Sequence, residues 1–296
     1  MMKYCLSVLL GVLLVATFSE AYAEPWQLSL DASLMANQNT YSDNWTGGET
    51  GSVAWTINTN FVARKQLSPK LRNKNTLKLA YGQTHSQDEA TKNWAKPKKS
   101  TDLIDLEALF RFTLGLALDP YVAGRFESQF FDFSDPAKAR YVNPMKFTES
   151  IGGTRSLIEE DKQEWTVRFG FAVRQHINRD VLVDPVLDKR ETQSSYDGGF
   201  ELVSDFTSPI SGDRLTYTSK LTLFQALIYS ETDELKGLPN ENYWKTVDVN
   251  WENILAANIT KYLMVNLYMQ IIYDKEQDLK GRFKQTLSLG LTYNIK

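Results

Sequence analysis

Two histidines, His85 and His176, are the only imidazoles in the chain. A general base working near neutral pH would have to be one of them. A lipase-type Ser-His-Asx site needs that base within hydrogen-bond reach of a serine and oriented by a third group. No nucleophile motif accompanies either histidine, so a polar histidine at an interface is the preferred reading and no catalytic residue is assigned. Asp248 and Glu252 are four residues apart. On a strand that spacing puts both carboxylates on one face, as an acid/base pair or, preferably, as ion-pair partners. Asp132, Asp135, Asp184 and Asp188 offer oxygen ligands suited to calcium but lack the spacing of an EF-hand. Solvated loop charge is preferred there, and neither a metal nor a cofactor is expected.

The remaining charge lies in strands. Residues 283–295 alternate for their whole length: Phe283, Leu287, Leu289, Leu291 and Tyr293 on one face, Lys284, Thr286, Ser288 and Thr292 on the other. Side chains alternate faces in a strand, so this segment is two-faced. The same period recurs around residues 28–34, 53–61, 104–112, 165–173, 200–206, 215–229, 247–252 and 263–273, and less cleanly at 74–84, 120–131 and 146–157. Many of these segments hold the pattern for about ten residues, the length of a tilted membrane-spanning strand, where soluble strands average about five or six. Aromatics toward the segment ends (Trp55, Trp165, Tyr229, Trp251, Tyr273, Tyr293) read as interfacial girdles.

Connections alternate in length. Short ones fall near residues 66–70, 114–119, 159–162, 208–213 and 257–261. Longer ones fall near 38–50, 87–100, 132–145, 178–193, 231–242 and 274–280. Eleven connections imply twelve strands. The expectation is an all-β, transmembrane, antiparallel up-and-down barrel of about 12 strands with both termini on the short-turn, periplasmic side. The competing reading, a soluble sandwich or lipocalin-like barrel, would need to fill a very wide apolar interior at this strand number.

The N-terminus reads as an export signal. Met1-Met2-Lys3 precedes an apolar run from Leu6 to Phe18, and Ala21-Tyr22-Ala23 matches a signal-peptidase site. Cleavage between Ala23 and Glu24 separates a 1–23 signal peptide from a single barrel domain, 24–296, destined for the bacterial outer membrane. Cleavage removes Cys5, the single cysteine, so the mature chain has no disulfide or thiolate chemistry. It also removes Lys3 and Glu20, which leaves the net charge at −3 and gives no reason to expect nucleic acid.

The polar faces carry balanced charge. Asp105, Glu107, Arg111, Arg125, Glu127, Arg168, Arg174, Glu201, Asp205, Lys220, Asp248 and Glu252 are the candidate lumen-lining residues. Arg64, Lys78, Lys284 and Asp31 extend the set to eight of each sign. Inward Asn58, Asn60, Asn250, Asn266 and Gln270 suggest a solvated interior.

Several stretches resemble a family of outer-membrane barrels catalogued as a domain of unknown function and common in Bacteroidetes-type bacteria. They are Asn44-Trp45-Thr46-Gly47-Gly48, Gln129-Phe130, Thr246 through Glu252, Asn258 through Leu263, and Ile272-Tyr273-Asp274. The resemblance implies an outer-membrane barrel and lends no activity. Trp45-Thr46-Gly47-Gly48 itself reads as a tight turn with a docked aromatic. The functional expectation is a narrow or gated pore for small solutes or ions, surrounded by outer-membrane lipid and inserted by the barrel assembly machinery. The alternatives are a sealed structural or interaction barrel and, third, a lipid-modifying enzyme.

Overall fold

A computed structural model describes residues 25–42, 49–212 and 214–295. The signal-peptide reading and the Asn44–Gly48 turn lie outside the described residues. The strands are β1 (Gln27–Asn39), β2 (Ser52–Ser68), β3 (Leu71–Ser86), β4 (Lys98–Arg111), β5 (Asp119–Ser128), β6 (Phe131–Asp132), β7 (Arg140–Tyr141), β8 (Met145–Glu159), β9 (Glu164–Asp184), β10 (Lys189–Ser211), β11 (Leu215–Tyr229), β12 (Asp248–Asn258), β13 (Leu263–Tyr273) and β14 (Arg282–Ile295). Twelve of them close into one antiparallel barrel, while β6 and β7 form a separate small hairpin. Closure runs through β1, which pairs with β2 on one side and with β14 on the other, from Leu30↔Ile295 to Ala36↔Leu289. Among the described residues no strand of the barrel is left at an edge, a requirement for any sheet placed in hydrocarbon.

The alternation read from the sequence sets the two surfaces. Outward positions are large and apolar on strand after strand: Leu34 and Ile57 are exposed, as are Leu106, Ile151, Phe169, Phe200, Leu287 and Leu291. An apolar belt that encircles a molecule is excluded from water and matches acyl chains. Trp165 donates its indole N–H to Ser204 Oγ at 3.1 Å, and Trp251 to Ser219 Oγ at 2.9 Å. Both donors are therefore satisfied by a neighbouring strand, without water. No helix among the described residues is long and apolar enough to cross a membrane.

Three elements differ from the sequence expectation. Residues 178–193, expected as a loop, continue the β9–β10 ladder, and only residues 185–188 connect the strands. The small β6–β7 hairpin lies beside this extension. Arg190 pairs with Asp135 at 2.7 Å, and Arg140 donates to Asn178 Oδ1 at 3.0 Å. Of the aspartates expected as solvated loop charge, Asp132 is instead buried against Arg140 at 2.6 Å, while Asp188 stays 81% exposed beside Arg190 at 3.1 Å. Asp184 caps the connecting turn by accepting the N–H groups of Val186 and Leu187.

The third difference is a bulge in β11. Gly198 faces Ile228 but Gly199 faces Ala226, so one residue is skipped and Leu227 and Ile228 both become exposed. A Cβ on Gly199 would fall 1.9 Å from the Gln225 carbonyl oxygen, so the bulge requires glycine there. The alternation reverses past that point. Tyr229, expected in the outer girdle, packs against Trp244, with ring centroids 6.0 Å apart.

Candidate functional site

Ion pairs between strands that are not neighbours in the barrel can form only through its interior. The structure has a ladder of them. Near the middle, Arg168 on β9 reaches Glu107 on β4 at 2.5 Å and Asp205 on β10 at 3.7 Å. Lys220 on β11 reaches the same Glu107 at 3.3 Å and Asp205 at 3.9 Å. Arg125 grips Asp105 with two nitrogens, at 2.8 and 2.9 Å, and Glu127 at 3.1 Å. Glu201 lines the same layer with Arg125, Arg168 and Lys220. It has no ion pair within 4.0 Å among the described residues. The Arg168 side chain is only 4% exposed although it belongs to a barrel interior.

Around this layer the wall is made of small residues. Tyr121 on β5, 1% exposed, faces Gly152 on β8, which in turn faces Gly170 on β9. A Cβ at Gly152 would fall 2.2 Å from the Phe169 carbonyl oxygen. The glycines let two strands approach closely and leave room for a large aromatic and a guanidinium; Arg168 lies 5.7 Å from the Tyr121 ring centre.

On either side of the charged layer the interior widens. Toward the short-turn end lies a solvent-open chamber of about 1210 Å³, bounded by Arg64, Lys74, Lys78, Arg111, Glu164 and others. Toward the long-loop end lies a second chamber of about 610 Å³. The layer between them leaves about 10 Å³ for water, room for about one molecule. Its residues are shared outward: Glu107, Arg168 and Lys220 also line the larger chamber, and Arg125 and Glu201 the smaller.

The other candidate residues fall above and below this layer. Arg174 binds Asp197 through two nitrogens, at 2.8 and 2.7 Å, and Asp248 at 2.8 Å, with Phe224 stacked 3.6 Å from its guanidinium carbon. Arg111 is tied to Asp119 at 2.8 Å and to Ser156 Oγ at 2.7 Å. Glu252 meets Lys78 at 3.6 Å. Asp248 and Glu252 therefore serve different cations and do not act as a pair. Neither histidine has a described hydrogen bond to a serine; His176 Nε2 stands 3.8 Å from Asp197 Oδ2.

Sequence reasoning missed several participants. Asp119, Glu159 and Glu164 sit at strand ends that read as turns, and they hold Arg111, Arg72, and the Arg64–Lys74 couple. It also missed the mouth. The β11–β12 connection folds through a short helix, α1 (Thr232–Leu235), and a 3-10 turn at Tyr243–Lys245, and turns back into the barrel. Trp244 is 8% exposed and packs on the inward-facing Ala172, Phe224 and Ala226. Lys245 O accepts Gln225 Nε2, and Lys275 of the β13–β14 connection lies 4.6 Å from the Tyr243 ring centre. A lone tryptophan in a polar loop carries no periodic signal, so only the fold reveals its place. In the β13–β14 connection, desolvation in the crowded mouth pushes the Glu276 carboxyl up to about 7. A hydrogen bond with Tyr229 opposes the rise, and the charge of Asp274 adds to it.

A protein family described as "Protein of unknown function (DUF3078)" matches residues 36–132. No curated protein matches the sequence. Among solved structures, an outer membrane channel from Pseudomonas putida F1 aligns at 14% identity with a TM-score of 0.43, covering 93% of this chain and 98% of the other. The translocator domain of the autotransporter NalP from Neisseria meningitidis aligns at 10% identity and 0.34, covering 99% and 95%. OccK7 (OpdD) from Pseudomonas aeruginosa aligns at 10% identity and 0.26, covering 91% and 99%.

Proposed function

We propose that this barrel is a narrow, gated pore for small solutes or ions in the bacterial outer membrane. The Glu107–Arg125–Arg168–Glu201–Lys220 layer is its filter and the β11–β12 connection its gate. On this reading the chain is exported by cleavage between Ala23 and Glu24 and inserted by the barrel assembly machinery. Both described ends lie at the short-turn end, which faces the periplasm. The observation that carries the reading is the pair of solvent-open chambers, with about 220 and 120 Å³ for water, separated by a charged layer that leaves about 10 Å³. An interior built only for stability would be packed from end to end, as small barrels are. Charged side chains around a constriction act on ions at close quarters, and opposite signs facing one another leave a polarised slot in place of an apolar seal.

A sealed barrel is the second reading, favoured by the near-complete burial of Arg168. Planar-bilayer recording separates the two. A pore gives small, discrete openings that grow when residues 232–246 are replaced by a short Gly-Ser turn. A sealed barrel gives no current before or after that replacement.

A further inference from the structure

The two chambers differ in charge. The short-turn chamber is lined by seven Lys or Arg and four Asp or Glu. Asp119 and Glu252, just beyond its lining, pair with Arg111 and Lys78, and a surplus cation still remains. The cations concentrate on one wall. Arg64 on β2 stands directly opposite Lys74 on β3, and Arg72 on β3 directly opposite Arg111 on β4. Like charges at opposed positions cost stability, and the cost is tolerated where an anion sits between them.

The protein's own carboxylates meet that need only in part. Arg64 and Lys74 share Glu164, at 2.8 and 3.1 Å, and among the described residues Lys78 has a 3.6 Å contact with Glu252. Arg64 Nε is buried and has no hydrogen-bond partner among the described residues. The side chains of Arg64, Lys74 and Lys78 are 34%, 29% and 32% exposed, all within the chamber they line. Three partly exposed cations, two of them sharing Glu164 and the third held only at 3.6 Å by Glu252, form an anion cradle. The guanidinium fork favours oxyanions over halide, because it binds two oxygens at once.

We propose that Arg64, Lys74 and Lys78 form a subsite for small multiply charged oxyanions, phosphate or carboxylate, at the short-turn end of the lumen. This deepens the pore reading and rests on it for its biological meaning, since an anion held there is an anion in transit. The test measures binding, and so stands apart from conductance.

The full barrel, folded in detergent micelles at low ionic strength, is titrated with inorganic phosphate and separately with citrate by calorimetry. Low salt matters because screening weakens such contacts. Each variant is first shown to keep the heat-modifiable gel mobility of a folded barrel. One saturable site is expected. Lys74→Gln and Arg64→Gln should each weaken it roughly tenfold, the scale of one charge-assisted hydrogen bond. Lys189→Gln, at the exposed tip of the β9–β10 hairpin, should leave it unchanged. Saturable phosphate binding without citrate binding assigns the subsite to phosphates, and the converse to carboxylates. No saturable binding of either anion overturns the proposal, as does binding that Lys74→Gln and Lys189→Gln weaken equally. Binding without any bilayer current upholds the subsite and overturns the pore.

Discussion

Glu107 is the carboxylate on which the central layer converges, and removing its charge is the sharpest perturbation available. Its two oxygens serve two cations, Arg168 at 2.5 Å and Lys220 at 3.3 Å. The three side chains are 16%, 4% and 13% exposed, so water cannot replace the lost partner well. In Glu107→Gln, Arg168 keeps only Asp205 at 3.7 Å, and Lys220 keeps the same Asp205 at 3.9 Å. Breaking a buried pair by removing one partner costs about 3–5 kcal/mol. The chambers on either side supply some hydration, so about 3 kcal/mol, the lower end, is expected. Arg168→Gln should cost a similar amount, because it strands Glu107 beside Lys220 alone. The double variant removes both the orphaned charge and its lost partner. Its cost should therefore fall short of the sum by about 2 kcal/mol, within the range of coupling between contacting residues. Urea unfolding in lipid vesicles, followed by tryptophan fluorescence, reads each stability. Additive costs for the two changes would refute the argument that Glu107 and Arg168 neutralise one another across the lumen.

Four other outcomes follow from the same geometry. Leu289→Arg on the outer face of β14 should destabilise the folded barrel by about 2–4 kcal/mol in vesicles if it sits near the midplane; a neutral effect would mean that this face does not meet lipid. Trp244→Ala should raise single-channel conductance and loosen proteolytic protection of residues 230–247, because the ring is what holds that connection against Ala172, Phe224 and Ala226; unchanged conductance would remove the gate from the pore. Conductance should also rise with pH. A Glu276 carboxyl at about 7 in the closed mouth against an ordinary 4.5 in a released loop means that the released form ionises first as pH climbs, so the closed form loses stability between those values and the loss is complete above about 7; Glu276→Gln should flatten the profile, and a wild-type profile that is flat already would refute the assignment. A single cysteine at Val186 or Glu234 should react with an impermeant maleimide on intact cells, while one at Lys70 or Lys162 should not; the reverse labelling would invert the orientation.

The barrel was legible because a period of two is a strong signal when it is long. β14 alternates without interruption, and strand number followed from the turn chemistry between such segments. The failures occur where that period is broken or where a residue lies outside it. At β11 a single skipped residue, licensed by Gly199, moves Tyr229 from the outer surface to the inside, and a sequence window cannot see a bulge that depends on the partner strand. Residues 178–193 were read as a loop because their alternation mixes charge into both faces. They pair nonetheless, beside a β6–β7 hairpin whose Asp135 holds Arg190 and an Asn143 just after it that accepts the Arg179 backbone N–H.

The candidate site divides along the same line. The strand pattern decides which face a residue occupies, and it brought Glu107, Arg168, Asp205 and Lys220 to the inner one. Which charges meet depends on barrel diameter and on the relative height of distant strands, and neither can be read from one strand at a time. Arg111 and Glu252 show the consequence. They belong to one charged face by alternation, yet each is bound to a different partner, Asp119 and Lys78, and neither reaches the central layer. A lumen near charge neutrality in total therefore still has a direction. Excess positive charge lines the short-turn chamber, while Glu127, Glu201, Asp248 and Asp274 outnumber Arg125, Lys146 and Arg174 around the other. On the proposed pore reading, an ion crossing between them leaves a lining with surplus cations for one with a surplus carboxylate, and passes the layer where Glu107 holds Arg168. On that reading permeability should be set by the sequence of local charges along the axis, not by their sum.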